Sequence, residues 1–303
     1  MNNQTAGGKE PYKFGYVSLT GLPNAGKSTI LNRFIGQKIA IETNKAQTTR
    51  RRINGIFTND KAQIVFIDTP GLHKPFDKLG ELLVNSAKSA VPDADIILFA
   101  ADVSAPAGKG CRWIAENILK NIKKPVILVL NKADLLKSDD EYEKNLLTYK
   151  QLFDKDYPAV KISAKTGLNF DELEKIVIKY LPEGEKVYNE DEITDETMRS
   201  IARELIREKI LIHTRDEVPH STAVIIEKYE ELNDIDKIKA AIIVEHDSQK
   251  GIIIGKKGSM LKIIGTEARR EIEETAGKKV FLELQVKVIK NWRKKSKDLE
   301  KMC

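Results

Sequence analysis

From residue 14 to residue 180 the chain alternates short, nearly continuous apolar runs with stretches whose apolar residues recur at helical spacing. The runs at 14–20, 63–68, 96–101, 126–130 and 159–162 predict strands, and 28–34, 79–90, 109–122, 142–150 and 171–180 predict helices. Strands that are apolar at nearly every position need cover on both faces, as parallel sheets flanked by helices provide. Residues 52–57 predict an additional, antiparallel edge strand. The acidic stretch LPEGEKVYNEDEITDET, with Pro182 and Gly184 as breakers, reads as a linker. After it the pattern changes to a helix near 198–211, strands near 221–229 and 238–246, a GKKG loop, a helix over 259–276 and a strand near 280–289. In that last strand Leu282, Leu284, Val286 and Val288 alternate with Glu283, Gln285 and Lys287, giving one buried and one wet face. The expected organisation is a disordered 1–13, an α/β domain with a mostly parallel sheet over 14–181, a linker over 182–196, and a smaller α+β domain over 197–303.

The length of 303 residues agrees with two domains of roughly 150. With 41% apolar and 32% charged residues, the composition excludes a disordered chain, a collagen and a disulfide-framed module. No apolar run approaches the roughly 18 residues of a membrane span. The opening MNNQTAGGKEPYK lacks the apolar core of a secretory signal. Cys111 and Cys303 are the only cysteines, so neither a disulfide framework nor a thiolate metal site is expected, and a reducing, cytoplasmic setting is. The net charge of +6 is localised: 15 Lys and Arg against 7 Asp and Glu lie from Gln249 to Cys303, a net of +8, while the rest is slightly acidic. Such asymmetry suits a polyanion, either nucleic acid or an anionic membrane surface, and also suits a solvated lysine-rich tail.

The chemistry is written in four motifs that each follow a predicted strand. Gly21-Leu-Pro-Asn-Ala-Gly-Lys-Ser28 fits GxxxxGK[ST], a P-loop opening a helix. Gly21, Asn24, Ala25, Gly26 and Thr29 would cradle phosphates on backbone N–H groups at the helix's positive end. Lys27 would reach the β- and γ-phosphates and the Ser28 hydroxyl would ligate Mg²⁺. Asp68-Thr-Pro-Gly71 adds a carboxylate for Mg²⁺ at Asp68 and an N–H for the γ-phosphate at Gly71, with Thr69, Pro70 and Leu72 in a phosphate-dependent switch. Asn131-Lys-Ala-Asp134 specifies guanine, because a carboxylate at Asp134 accepts from N1–H and the N2 amine, which adenine cannot offer. Asn131 would brace the loop, Lys132 would lay its stem over the base, and Ser163-Ala164-Lys165 would complete the pocket with the Ala164 N–H on O6. Gln47-Thr48-Thr49-Arg50-Arg51 reads as a second switch, with Thr49 preferred over Thr48 as a Mg²⁺ ligand. Leu72 stands where many GTPases carry a water-orienting glutamine, so unassisted GTP hydrolysis to GDP should be slow. His73 reads as surface, and the Asn24 carbonyl can help hold K⁺ near the phosphates.

Ile252-Ile-Ile-Gly-Lys-Lys-Gly258 resembles the GxxG loop of KH domains, where Gly255 and Gly258 let a nucleic-acid backbone approach. Lys256, Lys257, Lys262, Arg269 and Arg293 would meet phosphates, and Trp292 would either stack a base or pack on the sheet edge. Together PNAGKST, KAQTTR, DTPGLHKP, NKAD, EVPHS, IIIGKKG and VKVIKNWR resemble the Era family of bacterial ribosome-associated GTPases. The resemblance spans about 14–293 and departs from it at Gln285, where a large aromatic is expected. It implies GTP hydrolysis coupled to binding near the 3′ end of small-subunit ribosomal RNA during assembly of that subunit; no obligate protein partner is evident in the sequence. Peripheral association with the inner face of the cell membrane is also part of the family picture. Two rival readings stay open at this point: a KH-like domain that binds protein or lipid, and a scaffold that holds GTP without turning it over.

Overall fold

A computed structural model describes residues 11–43, 45, 48–75 and 78–294. Six strands form the first sheet: β1 (Lys13–Gly21), β2 (Ile53–Thr58), β3 (Ala62–Asp68), β4 (Ile96–Asp102), β5 (Val126–Asn131) and β6 (Ala159–Lys161). Their order is β2-β3-β1-β4-β5-β6, parallel throughout except for β2, which pairs antiparallel with β3 at the edge. The expected edge strand is therefore present. Every residue of β3 and β5 is buried, as strands covered on both faces require.

Five helices provide that cover: α1 (Lys27–Ile35), α2 (Lys78–Asp93), α3 (Lys109–Ile114, continued by a π-helical turn to Leu119), α4 (Asp139–Lys150) and α5 (Phe170–Tyr180). Phe34 of α1 stacks on Phe66 of β3 at 4.4 Å between ring centres. The connecting stretch after α5 is strapped down. Gln63 Oε1 accepts from the N–H groups of Val187 and Tyr188 at 2.8 and 2.9 Å, and Ile56 N–H donates to Ile193 O at 2.8 Å.

The C-terminal part runs α6 (Met198–His213), β7 (Ala223–Glu231), β8 (Ile235–Val244), α7 (Asp247–Ile254), α8 (Ser259–Ala276) and β9 (Lys279–Val288). β7 pairs antiparallel and β9 parallel with β8. Helices α6 and α8 cover one face through Ile206, Ile210, Ile264 and Ile272, against Ile242 and Val280. The other face is met by the first part: Leu79 and Leu83 of α2 pack with Ala223, Ala241, Ile243 and Trp292. Helix α7 was not expected, because its three isoleucines and Gly251 mimic the end of a strand. Among the described residues no helix is long and apolar enough to cross a membrane.

Candidate functional site

All four motifs leave the carboxyl ends of parallel strands, so the topology gathers them along one edge of the sheet, where open α/β sheets bind ligands. The phosphate loop, Gly71 of the DTPG turn and Lys132 of the NKAD loop border a cleft of about 530 Å³. At its floor Gly26 adopts φ 88° as α1 begins, and a Cβ there would collide with the Asn131 amide. Asn131 Nδ2 donates to Ala25 O at 2.9 Å, so the base-reading loop braces the phosphate loop. Asn24 is exposed at the rim with φ 63°, and Thr29 donates to Glu42 Oε2 at 2.8 Å.

Lys27 is buried, and its Nζ donates to Leu22 O at 2.9 Å and Gly21 O at 3.3 Å. Burial pulls its ammonium down to about 8, partly opposed by the Asp68 charge. Three oxygens converge beside it. Ser28 Oγ donates to Asp68 Oδ2 at 2.7 Å, and Thr49 Oγ1 lies 3.2 Å from that oxygen and 3.1 Å from Ser28 Oγ. Burial raises the Asp68 carboxyl, against the lowering effect of Lys27 and the two hydroxyls. Asp68 Oδ1 is buried without a hydrogen-bond partner. Two hydroxyls, a carboxylate and an orphaned carboxylate oxygen suit a hard, oxygen-seeking cation such as Mg²⁺. Thr48 instead bonds Lys45 O at 2.6 Å and Thr43 Oγ1 at 2.8 Å, pointing away from Asp68.

Gly71 lies against Pro23 of the phosphate loop, and the next N–H, of Leu72, donates to Gly21 O at 3.0 Å. Thr69 and Pro70 are buried, with Thr69 Oγ1 donating to Leu19 O at 2.7 Å. The Leu72 side chain is fully buried in the core with Val84 and Phe99. His73 is half-buried, its Nδ1 2.9 Å from Lys74 O. Gln47 lies outside the described residues.

For the base, Asp134 is exposed and accepts from Ser163 Oγ at 2.6 Å. Lys132 Nζ pairs with Asp102 at 2.6 Å, which fixes its stem at the cleft, and Lys165 is exposed. The Ala164 N–H differs from expectation: it donates to Asn131 Oδ1 at 2.9 Å, so guanine O6 would have to share it.

In the second domain, Lys256 and Lys257 project from a 3₁₀ turn between α7 and α8. Gly258 has φ 79° with nothing within 4 Å of a Cβ, and Gly255 has φ 71°. Lys262 and Arg269 are exposed on α8. Trp292 corrects the stacking expectation. It is fully buried, with Nε1 donating to Ser221 O at 3.0 Å and the Arg50 guanidinium 5.8 Å above its ring, and so cannot meet a base in this arrangement. Arg293 is half-buried and donates to Glu245 at 2.9 Å. Gln285 donates to Glu227 on the wet face of the sheet.

The stretch around Thr49, expected as a second switch, meets the second domain. Arg50 is buried and donates to Thr222 O at 2.8 Å and His220 O at 3.2 Å, making it a contact between domains. Arg51 borders a narrow crevice beside Glu196 and Ser200. Helix α6, predicted only as a helix near 198–211, brings Leu211 and Ile212 to the cleft wall and buries the charged Glu204, Arg207, Glu208 and Lys209. Lys38 reaches across to Glu208 at 2.7 Å and Glu271 at 3.0 Å.

Residues 16–132 match the family model of 50S ribosome-binding GTPases, and residues 217–293 match that of KH domains. A protein of Crocosphaera subtropica named GTPase Era is 50% identical over 285 residues, 94% of this chain and 90% of its own. A second GTPase Era, from Rippkaea orientalis, is 48% identical over 95% of this chain and 91% of its own. Two solved structures superimpose with a TM-score of 0.92 and cover 96% of this chain and 98% of their own. One, 42% identical, is an Era variant of Aquifex aeolicus bound to GDP·AlF4⁻. The other, 41% identical, is Era in complex with MgGDPNP and nucleotides 1506–1542 of 16S ribosomal RNA.

Proposed function

Because the chain belongs to the Era family of GTPases, with a KH domain after its GTPase domain, we propose that it hydrolyses GTP at the cleft described above while its KH domain binds the 3′ end of small-subunit ribosomal RNA in assembly of that subunit. The observation that carries the first half is the convergence of Ser28, Thr49 and Asp68 beside Lys27. The second half is supported by the exposed Gly255-Lys-Lys-Gly258 turn and by the RNA in the complex of the 41% identical Era.

Mg²⁺, when bound, would neutralise charge that develops on the β- and γ-phosphate oxygens. Ser28, Thr49 and Asp68 are the residues to hold it. Lys27 and the backbone N–H groups of the phosphate loop orient the nucleotide and bear on the same oxygens. Asp134 with Ser163 reads the guanine edge, and Asn131 ties that loop to the phosphates through Ala25. Leu72, being core, offers no hydrogen bond to an attacking water, so turnover without RNA or ribosome is slow. Asn24 is the residue to hold K⁺, and turnover in K⁺ should exceed that in Na⁺ only while Asn24 is present; equal turnover of the parent in both salts would remove this role. An RNA partner sets the place of action in the cytoplasm, and contact with the membrane face rests on the family resemblance alone.

The test is phosphate release from GTP with and without an oligonucleotide of the 16S 3′ end. Lys27→Ala should abolish release, and the oligonucleotide should stimulate the parent. A Lys27→Ala protein as active as the parent would overturn the catalytic assignment.

A further inference from the structure

The segment that carries Thr49 is held from outside its own domain. Immediately before it, Thr48 O accepts from the Arg207 guanidinium of α6. Immediately after it, Arg50 donates to Thr222 O at 2.8 Å and His220 O at 3.2 Å, with its guanidinium over the Trp292 ring. Arg207 is itself fixed, its Nε and terminal nitrogen bonding Glu204 Oε2 at 3.1 and 2.6 Å. Burial works against the Glu204 charge, but Arg207 and Arg203 hold its carboxyl below the usual range, so the pair is ionised. At the end of α6, the carbonyls of Leu211 and of Thr214 just beyond it accept from Lys45, and Leu211 and Ile212 form part of the wall of the nucleotide cleft.

From this geometry we infer that Arg207 and Arg50 are positioning residues of the nucleotide site: the KH domain grips the backbone on either side of Thr49 and so holds its hydroxyl on Asp68 and Ser28. The inference rests on the reading that Ser28, Thr49 and Asp68 hold Mg²⁺. A hydroxyl within 3.2 Å of Asp68 needs its backbone fixed to a fraction of an ångström. The described residues around Thr49 form no helix or strand of their own to supply that rigidity. Among the described residues, Arg207 bonds the backbone at position 48 and Arg50 reaches from the next position but one into the KH domain. Retention of Mg²⁺-bound nucleotide is then a joint property of both domains, and whatever moves α6 changes it.

The experiment is release of a fluorescent GTP analogue from the full chain, followed by stopped flow at saturating Mg²⁺ and in excess chelator. The main variant is Arg50→Met, which keeps a long apolar stem against Trp292 and removes the donors. Arg50→Lys, with one donor group restored, and Arg207→Gln accompany it. At saturating Mg²⁺, Arg50→Met should release the analogue about tenfold or more faster than the parent, the scale of one lost charged hydrogen bond. Arg50→Lys should fall between them. In chelator all the proteins should release alike, since Thr49 then has no ion to hold, and a merely destabilised fold would not lose its defect there. Equal release by Arg50→Met and parent at saturating Mg²⁺ would overturn the grip. If chelator fails to accelerate the parent itself, the Mg²⁺ assignment is what fails. Should Arg207→Gln not fold, the Arg50 pair still decides.

Discussion

In the proposed guanine site, Asp134 is the residue on which nucleotide identity should turn. It already accepts from Ser163 Oγ, and a guanine edge would supply the remaining donors. Asp134→Asn exchanges an acceptor for a donor, so preference should pass from GTP to XTP by at least about a hundredfold, as for other sites that read a hydrogen bond. Competition between the two nucleotides measures it, and unchanged selectivity would contradict the assignment. Lys27 makes a pH prediction. Burial sets its free ammonium at about 8, and a bound phosphate raises it again. Below that pH the lysine is charged before and after binding and contributes no pH dependence. Above about 8 binding takes up a proton, so GDP affinity falls as pH rises. Calorimetry just above pH 8 in two buffers of different ionisation heat should register the uptake in the parent and none in Lys27→Arg. A parent that takes up no proton would refute it.

At the scale of elements, the GKKG turn offers a contrast between its two glycines. A Cβ at Gly255 would sit 2.7 Å from Met260 Cβ and 2.8 Å from Met260 N, so Gly255→Ala should cost about 1–3 kcal/mol, read as a lower melting temperature. Gly258 has open space and a left-handed φ that Asp and Asn tolerate. Gly258→Asp and Gly258→Asn should therefore fold alike, while the charged variant alone loses RNA affinity by a large factor that shrinks with added salt. Equal RNA binding by the two would remove the phosphate contact. The elements themselves were largely legible. The phosphate loop, the DTPG turn and the NKAD loop each lie next to the strand that positions them, and α8 spans the expected 259–276. Helix α7 was not legible, because Gly-Ile-Ile-Ile at its end has the composition of a strand and its helical form depends on packing against α8 and β9.

What escaped the sequence at the scale of the whole molecule is contact between segments more than a hundred residues apart. Nothing near Trp292 shows that Leu79 and Leu83 will cover it, nor does Arg50 announce that its acceptors are His220 and Thr222. The charges of α6 look like solvent exposure until Lys38 and Thr48 are brought against them. These contacts join the helix after the DTPG turn and the segment around Thr49 to the KH domain, so both segments bear on it. The account's central claim is that the nucleotide state and RNA binding are coupled through this interface. The most direct test is the affinity of the full chain for an oligonucleotide of the 16S 3′ end, loaded with GDPNP or with GDP at the same salt concentration. The account predicts binding about tenfold or more tighter with GDPNP, a coupling of about 1.4 kcal/mol or greater, and equal affinity in the two nucleotide states would contradict it.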